Sequence, residues 1–289
     1  MRQDVESRVN LLSRFTRRPG RTAAEATALV VAAVVAFPLY WMVLSAFKLA
    51  GEIRSAQPRP WTLSPTLDSF RRVFGQEDFG RYFLNSVVVA VAVVIASAFI
   101  AFLAATAVTR FRFRLRTTLL IMFLVAQMVP VEALTIPLFF VMRDLGQLNT
   151  LWSLILPHIA FSLPFAIWML RGFVKGVPEA LEEAAYMDGA SRTRFLWQIL
   201  FPLVLPGLVA TSVFSFISAW NDFLFAKSFI ISDISRSTLP MALLVFYKPD
   251  DPDWGGVMAA STVMTIPVLV FFVLVQRRLV SGLGGAVKD

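Results

Sequence analysis

Hydrophobic residues occur in six long runs that are separated by polar stretches. The runs cover about residues 23–47, 84–108, 118–142, 151–170, 198–220 and 257–275. A helix needs about 20 mainly apolar residues to cross the hydrocarbon core of a bilayer, and each run comes close to that length. The second run is the most uniform, because its only polar side chains between Val87 and Val108 are Ser97 and Thr106. The pattern predicts an all-α integral membrane protein with six transmembrane helices, which form a single domain over residues 1–289.

Prolines interrupt three of the predicted spans. The third, fourth and fifth spans contain Pro130 and Pro137, Pro157 and Pro164, and Pro202 and Pro206. Proline is tolerated inside a membrane helix where neighbouring helices or polar groups satisfy the freed backbone. We therefore expect kinked helices that surround a path, rather than a straight bundle.

The loops between the runs carry unequal numbers of basic residues. Of the 27 Lys and Arg residues, seventeen fall on one side of the membrane and ten on the other. The side richer in Lys and Arg is normally cytoplasmic, which predicts that both termini lie in the cytoplasm. Residues 171–197 then face the cytoplasm, whereas 48–83 and 221–256 face outward. The first run is too long for a cleaved signal peptide, so we expect it to remain as the first span.

Composition supports a membrane location and excludes several kinds of site. The chain is 57% hydrophobic and 16% charged, with a mean hydropathy of +0.69; soluble domains carry about 25% charged residues. The net charge of +8 is spread over separate loops, so it indicates membrane topology rather than nucleic-acid binding. No cysteine and a single histidine, His158, exclude disulfides, thiolate catalysis and multi-histidine metal sites.

The cytoplasmic segment 171–197 carries the signals of two short helices. Pro178 suits a first helical turn, and the glutamates that follow it complement the helix dipole. Gly189 is typical of the position just past a helix end, and Ser191 can cap a following helix. Ala180, Ala184 and Met187 share one helical face, where small residues would allow another protein to approach. These signals alone equally fit an ordinary helix lying on the membrane surface.

The same segment contains a spaced motif: Glu-Ala-Ala, three residues, Gly, nine residues, Ile and then Pro. Its residues are Glu183, Ala184, Ala185, Gly189, Ile199 and Pro202. This spacing resembles the EAA loop of bacterial binding-protein-dependent ABC permeases, although Phe201 stands where that family usually has leucine. Trp220-Asn221-Asp222 and the glycine-rich tail before Val287 and Lys288 resemble the maltose-permease-like carbohydrate subfamily. The chain ends in Lys288-Asp289 where that subfamily has Lys-Gly.

The resemblance implies one permease subunit of an ATP-driven importer in the bacterial cytoplasmic (inner) membrane. The expected partners are an ABC ATPase dimer, a second permease subunit in a heterodimer, and an extracytoplasmic sugar-binding protein. Contacts with the ATPase would come from the loop residues Glu183, Ala184, Ala185, Met187, Asp188 and Gly189, and from the tail residues Gly285, Val287 and Lys288.

ATP and Mg would bind to the ATPase partner rather than to this chain. A Walker A loop requires a Gly-Lys pair, and the sequence contains none. The resemblance therefore implies a transport subunit that is not itself an enzyme and binds no cofactor.

A few polar residues lie in or beside the spans. Glu132, near Gln127, either lines the substrate path or is a hydrogen-bonded group in helix packing or at the outer interface. Trp220 is either an interfacial anchor or, with Asn221, part of a sugar path. His158 is expected to serve packing or to bond the backbone. The outer loop 240–254 is either a short amphipathic connection lying at the surface or, as the resemblance favours, a contact for the binding protein.

Two other classes of function are weaker alternatives. A secondary transporter that works without an ATPase normally uses several buried ionisable residues or broken-helix ion sites. Glu132 is the one acidic residue well inside a predicted span, and no inverted repeat is visible. A membrane enzyme would need a catalytic constellation, and the spans contain no cysteine, one histidine and no clustered acids.

Overall fold

The computed structural model describes residues 19–76 and 78–284, with side chains for 24–76 and 78–276. Regular structure in these ranges is entirely helical. In chain order the α-helices are α1 (Pro19–Ala46), α2 (Ala50–Ile53), α3 (Asp68–Phe74), α4 (Phe79–Arg110), α5 (Arg116–Ala126), α6 (Thr135–Asp144), α7 (Trp152–Gly176), α8 (Glu179–Met187), α9 (Arg192–Arg194), α10 (Phe201–Trp220), α11 (Leu224–Phe229), α12 (Leu239–Phe246) and α13 (Trp254–Gly284). A π-helical segment, Phe195–Leu200, joins α9 to α10, and 3-10 turns occupy Val131–Leu134 and Ile234–Arg236.

Five helical stretches are long and apolar enough to cross a membrane. They are Ala24–Ala46, Phe79–Arg110, Trp152–Gly176, Arg192–Trp220 and Trp254–Gln276. A bent pair, Arg116–Ala126 with Val131–Asp144, raises the number to six when it counts as one span. The predicted all-α membrane architecture is therefore confirmed.

The third hydrophobic run differs from the single helix expected over residues 118–142. Its two helical parts meet at an angle of 95°. The bend follows α5 and ends at the 3-10 turn, with Pro130 in an extended conformation directly before that turn. Proline has no N–H to donate and disfavours helical geometry in the residue before it, so an uninterrupted helix is unfavourable here.

Polar contacts join segments that are distant in the chain but were predicted to lie on the same side of the membrane. On the outer side, Arg54 pairs with Asp251 at 2.6 Å and Arg72 pairs with Asp253 at 2.9 Å. On the cytoplasmic side, the guanidinium of Arg110 donates to the carbonyl oxygen of Val177 at 2.8 Å. Loops assigned to one side from their basic residues thus meet each other in space.

The buried side chains form two clusters at different levels of the bundle. One cluster lies in the outer half and includes Phe79, Trp220 and Phe229. The other lies in the cytoplasmic half, where α4, α7 and α10 pack together around Phe102 and Leu170. The cytoplasmic cluster positions the candidate site, because α8 packs against it.

Helices α7 and α10 approach closely at Gly207. A Cβ atom built on Gly207 would lie 2.5 Å from the Phe173 ring, which is shorter than any normal carbon contact. Small residues let membrane helices pack closely, and this packing rather than a hydrophobic driving force holds them together. Gly172, also within a helix, has no atom within 4 Å of the same constructed position.

We expect the substitution Gly207→Ala to destabilise the protein and Gly172→Ala to leave it as stable or slightly more so. Overpacking at Gly207 should cost about 1–3 kcal/mol, whereas alanine at Gly172 should gain about 0.5–1 kcal/mol from helix propensity. The thermal midpoint of each purified variant in mild detergent tests this. Equal midpoints for the two variants would contradict the close approach.

Candidate functional site

Helix α8 begins directly after a sharp corner at the cytoplasmic end of α7. Pro178 occupies the N-cap with an extended backbone (φ −59°, ψ 138°), one residue before the expected helical turn. Glu179 and Glu182 lie in the first turn, where negative charge complements the helix dipole. Only Val177 and Pro178 connect α7 to α8, so the corner is short.

The far end of α8 closes with a glycine turn. Gly189 has a φ of +80°, which favours glycine over residues with a Cβ atom. The amide of Ala190 donates to the carbonyl of Ala185 at 2.9 Å, and the amide of Gly189 donates to that of Tyr186 at 3.0 Å. This pair of hydrogen bonds is a Schellman motif. The hydroxyl of Ser191 then caps α9 by accepting from the amide of Arg194 at 3.2 Å, which confirms the predicted helix, turn and second helix.

The two faces of α8 have different environments. Met187 is 87% exposed, and Ala180 and Ala184 on the same face are also exposed. Glu183, Asp188 and Gly189 are exposed beside them. Ala185 instead is 7% exposed and packs into the cytoplasmic cluster of this chain. Both alanines were expected to contact a partner protein. Ala184 is exposed and free to do so, whereas Ala185 packs α8 against the bundle.

Arg110, at the last turn of α4, holds the corner between α7 and α8. Its guanidinium donates to the carbonyls of Val174 at 3.3 Å and Val177 at 2.8 Å. Its Nε lies 3.3 Å from Oε2 of Glu182, an ion-pair distance without hydrogen-bond alignment, and its side chain is 7% exposed. Hydrogen bonds to a charged group contribute about 1.5–3 kcal/mol. Sequence reasoning counted Arg110 only as a topology signal and missed this role.

Glu182 is shared between Arg110 and Tyr186. The Tyr186 hydroxyl donates to Oε1 of Glu182 at 2.9 Å. Burial raises the pKa of the Tyr186 phenol, and the hydrogen bond and charge of Glu182 raise it further. Tyr186 therefore remains protonated, and remains a donor, at neutral pH.

Two open clefts lie on either side of this network. The first, of about 480 Å³, is lined by the last turns of α4 and by the start of the π-helical segment, including Leu103, Phe111 and Leu196. The second, of about 510 Å³, is lined by Arg112, Arg116 and Lys175 together with the glutamates of α8. Arg110, Glu182 and Tyr186 line both clefts and form the wall between them.

Of the polar residues expected along a substrate path, Gln127 and Glu132 lie at the break in the third span. Gln127 is the C-terminal cap of α5, and its side-chain amide donates to the carbonyl of Phe161 at 3.0 Å. Glu132 lies in the 3-10 turn after the break, and its side chain is exposed. Asn221 is also exposed, just past the end of α10.

Trp220 has a different position from the path or interfacial one expected. It is 1% exposed, stacks on Phe216 at a ring distance of 5.6 Å and meets Phe83 edge to face at 6.1 Å. Its indole N–H donates to the carbonyl of Met264 at 3.2 Å. The indole ring packs in the outer core and its N–H is hydrogen-bonded there, so the role of Trp220 in this structure is core packing.

His158 is a buried packing residue, as one of the two expected roles required, and its ring lies 5.4 Å from that of Phe225. It also faces a carboxylate that the sequence did not indicate. Its Nε2 lies 3.6 Å from Oδ2 of Asp222, and both side chains are less than 9% exposed. The carboxylate of Asp222 also accepts from the amides of Phe225 and Ala226, each at 3.1 Å. Asp222 therefore caps α11, a role that the Asp-x-x spacing before an apolar segment could have indicated.

The outer loop 240–254 is partly tied to the rest of the chain. Asp251 and Asp253 form ion pairs with Arg54 and Arg72. Burial raises the pKa of Asp253, but hydrogen bonds from Arg72 and the amide of Gly256 outweigh it, so the net pKa is lowered. A cleft of about 640 Å³ lies beside this pair. The tail residues Gly285, Val287 and Lys288 lie outside the described residues.

Known proteins resemble this chain in both sequence and fold. Residues 97–284 match the family described as "Binding-protein-dependent transport system inner membrane component". The diacetylchitobiose uptake permease DasC of Streptomyces coelicolor is 39% identical over 93% of this chain and 98% of its own length. The trehalose/maltose permease MalG of Thermococcus litoralis is 35% identical over 90% and 94%. A chain of a bacterial ABC transporter that imports alginate has the same fold, with a TM-score of 0.76 at 20% identity, over 91% of this chain and 98% of that one.

We expect Ala185→Leu to destabilise the protein and Ala184→Leu to leave its stability nearly unchanged. A larger side chain at the buried position should cost about 1–3 kcal/mol through overpacking, whereas an exposed change should stay within about 0.5 kcal/mol. Thermal unfolding of the two purified variants in detergent compares them. A greater loss at Ala184 would contradict the assignment of the two faces.

Proposed function

The chain belongs to the family of inner membrane components of binding-protein-dependent transport systems, and on that basis we propose that it forms half of a sugar path. It is a multi-pass permease subunit of an ATP-driven importer. The main support for the proposal is the exposed face of α8. The position of this helix is defined by the Pro178 corner before it and by the Gly189 turn after it. That face would enter a cleft of a partner ATPase, so that closure of the ATPase moves the spans.

The proposed assembly contains partners on both sides of the membrane. An ABC ATPase dimer would bind ATP and Mg and contact Glu183, Ala184, Met187, Asp188 and Gly189 in the cytoplasm. A second permease chain, in a heterodimer, would complete the path. The tail residues Gly285, Val287 and Lys288 remain proposed contacts of the ATPase. This chain would act as a single transport domain without catalysis.

A sugar is the proposed substrate class. The names of the relatives that transport diacetylchitobiose and trehalose or maltose support this choice. Gln127, Glu132 and Asn221 are the proposed path residues, because their exposed amides and carboxylate can bond sugar hydroxyls. Gln127 and Glu132 also lie at the break in the third span. Trp220 is no longer proposed for the path, since its ring is buried and its donor is satisfied.

An extracytoplasmic binding protein would deliver the sugar to the outer loops. One solved alginate transporter contains a periplasmic protein with a bound pentasaccharide, and 92% of this chain aligns with a chain of that complex, at a TM-score of 0.64. The outer loop 240–254 is the proposed contact. Its ion pairs with Arg54 and Arg72 join it to the other outer segment, 48–83, so the two could form one docking surface.

We expect Gly189→Pro to abolish sugar uptake while the chain still inserts into the membrane. Proline cannot adopt a φ of +80° and would remove the amide that bonds Tyr186. Gly189→Asn is the matched control, because asparagine tolerates the left-handed conformation. Uptake of radiolabelled sugar by cells and the amount of chain in membranes are measured for both. Normal uptake by the proline variant would count against α8 as the coupling element.

We expect the tagged chain, purified in mild detergent, to bring an ABC ATPase and a second permease with it. Mass spectrometry of the purified material identifies these chains, and ATP-driven uptake in liposomes requires all of them. Ion-driven uptake by this chain alone would favour the secondary-transporter alternative. That alternative has little structural support, since Glu132 is exposed at a turn.

A further inference from the structure

We propose that Arg110 is the positioning residue that fixes α8 to α4 and α7, so that movement of α8 is passed directly to those two spans. The inference rests on the proposed coupling function of α8. It extends that function by identifying α4 and α7 as the spans that receive the motion and Arg110 as the side chain that transmits it.

Few groups hold α8 against the bundle. Ala185 is the buried residue of this helix among the described side chains. At the other end of the helix the Tyr186 ring lies 5.9 Å from that of Phe195 in the π-helical segment. The first turn is attached through Glu179 and Glu182, which lie 3.9 Å and 3.3 Å from the Arg110 guanidinium. Clefts open on both sides of that contact. Removal of the guanidinium would leave the first turn of α8 held mainly by its short covalent corner.

Arg110 also joins three separate helices at one point. It extends from α4, donates to the carbonyls of Val174 and Val177 at the end of α7, and pairs with the first turn of α8. These carbonyls lie at the C-terminus of α7, where the helix has no further amides of its own to bond them fully; that of Val174 also accepts from the amide of Val177, the C-cap residue, at 3.3 Å. A planar guanidinium can serve several acceptors at fixed angles, whereas the ammonium group of lysine is a point charge on a flexible stem. The site therefore requires arginine rather than positive charge alone.

The connection from α8 to α10 is built differently. It passes through the Gly189 turn, the three-residue α9 and the π-helical segment Phe195–Leu200. π-Helical turns are rare and frequently lie at functional sites, because their hydrogen-bond register differs from that of the α-helix. A turn, a three-residue helix and a π-helical segment thus interrupt the regular α-helical backbone between α8 and α10. On that ground we assign the rigid side of α8 to α4 and α7, and the compliant side to the connection before α10.

The first test compares R110Q with R112Q in the full importer in liposomes. Both remove one arginine from the same cytoplasmic cluster, but Arg112 is exposed and lines only the second cleft. For R110Q we expect the amount of sugar taken up per ATP hydrolysed to fall about tenfold, an effect of the size usual for energetic coupling between two sites. For R112Q we expect this ratio to stay close to that of the wild type. R110K should recover part of the loss. A ratio of uptake to hydrolysis in R110Q equal to wild type would overturn the proposal.

A second test measures distances and does not require transport. The chain has no cysteine, so pairs of introduced cysteines can carry spin labels without background from this chain, which is labelled before the importer is assembled. Leu181 on α8, Phe111 at the end of α4 and Leu203 in α10 are 40%, 51% and 49% exposed. We expect the 181–111 distance to stay constant when the importer binds a non-hydrolysable ATP analogue, while the 181–203 distance changes.

In R110Q the 181–111 distance distribution should broaden. An unchanged distribution would overturn the role of Arg110, as would a 181–111 distance that shifts in the wild type. Failure of the proposed function is separately visible, because the wild-type chain would then bind no ATPase and show no ATP-driven uptake. A folding failure is excluded by comparing the detergent thermal midpoints of R110Q and R112Q.

Discussion

The constraint on which this structure depends is that backbone N–H and C=O groups find no water inside a bilayer. Each unsatisfied group there costs several kcal/mol, so spanning segments must be helical or must end against groups that can bond them. Five of the six spans run without a break in the helix, although some contain proline kinks and one includes the π-helical segment Phe195–Leu200. The broken third span is the exception, and there the side-chain amide of Gln127 bonds the carbonyl of Phe161 on α7.

The same constraint explains where polar side chains are found at the helix ends. Arg110 bonds carbonyls at the end of α7, and Asp222 bonds amides at the start of α11. Asn85 donates to the carbonyls of Ser235 and Ser237 in the outer loop. In each place a polar side chain satisfies backbone groups of a neighbouring segment. These hydrogen bonds hold the loops and the helix ends against the bundle.

Local chemistry made the helix, turn and helix of the cytoplasmic segment predictable. Pro178, Gly189 and Ser191 each act on the residues beside them, so their effect can be read from spacing alone. The angle of 95° in the third span was not predictable, although Pro130 marked its position. Proline shows that a helix is disturbed, but the direction of the chain beyond it depends on packing against other spans.

The sequence did not predict which side chains are buried and which of them contact residues distant in the chain. Trp220 and Asn221 are neighbours in the chain, yet one is 1% exposed and the other faces outward. Ala184 and Ala185 divide in the same way, because adjacent residues of a helix point about 100° apart. A motif therefore identifies a segment, whereas burial decides which of its residues meets a partner and which holds the segment in place. In the cytoplasmic segment the residue that completes this attachment, Arg110, lies more than sixty residues earlier in the chain, with a hydrogen bond to Val174 across 64 positions.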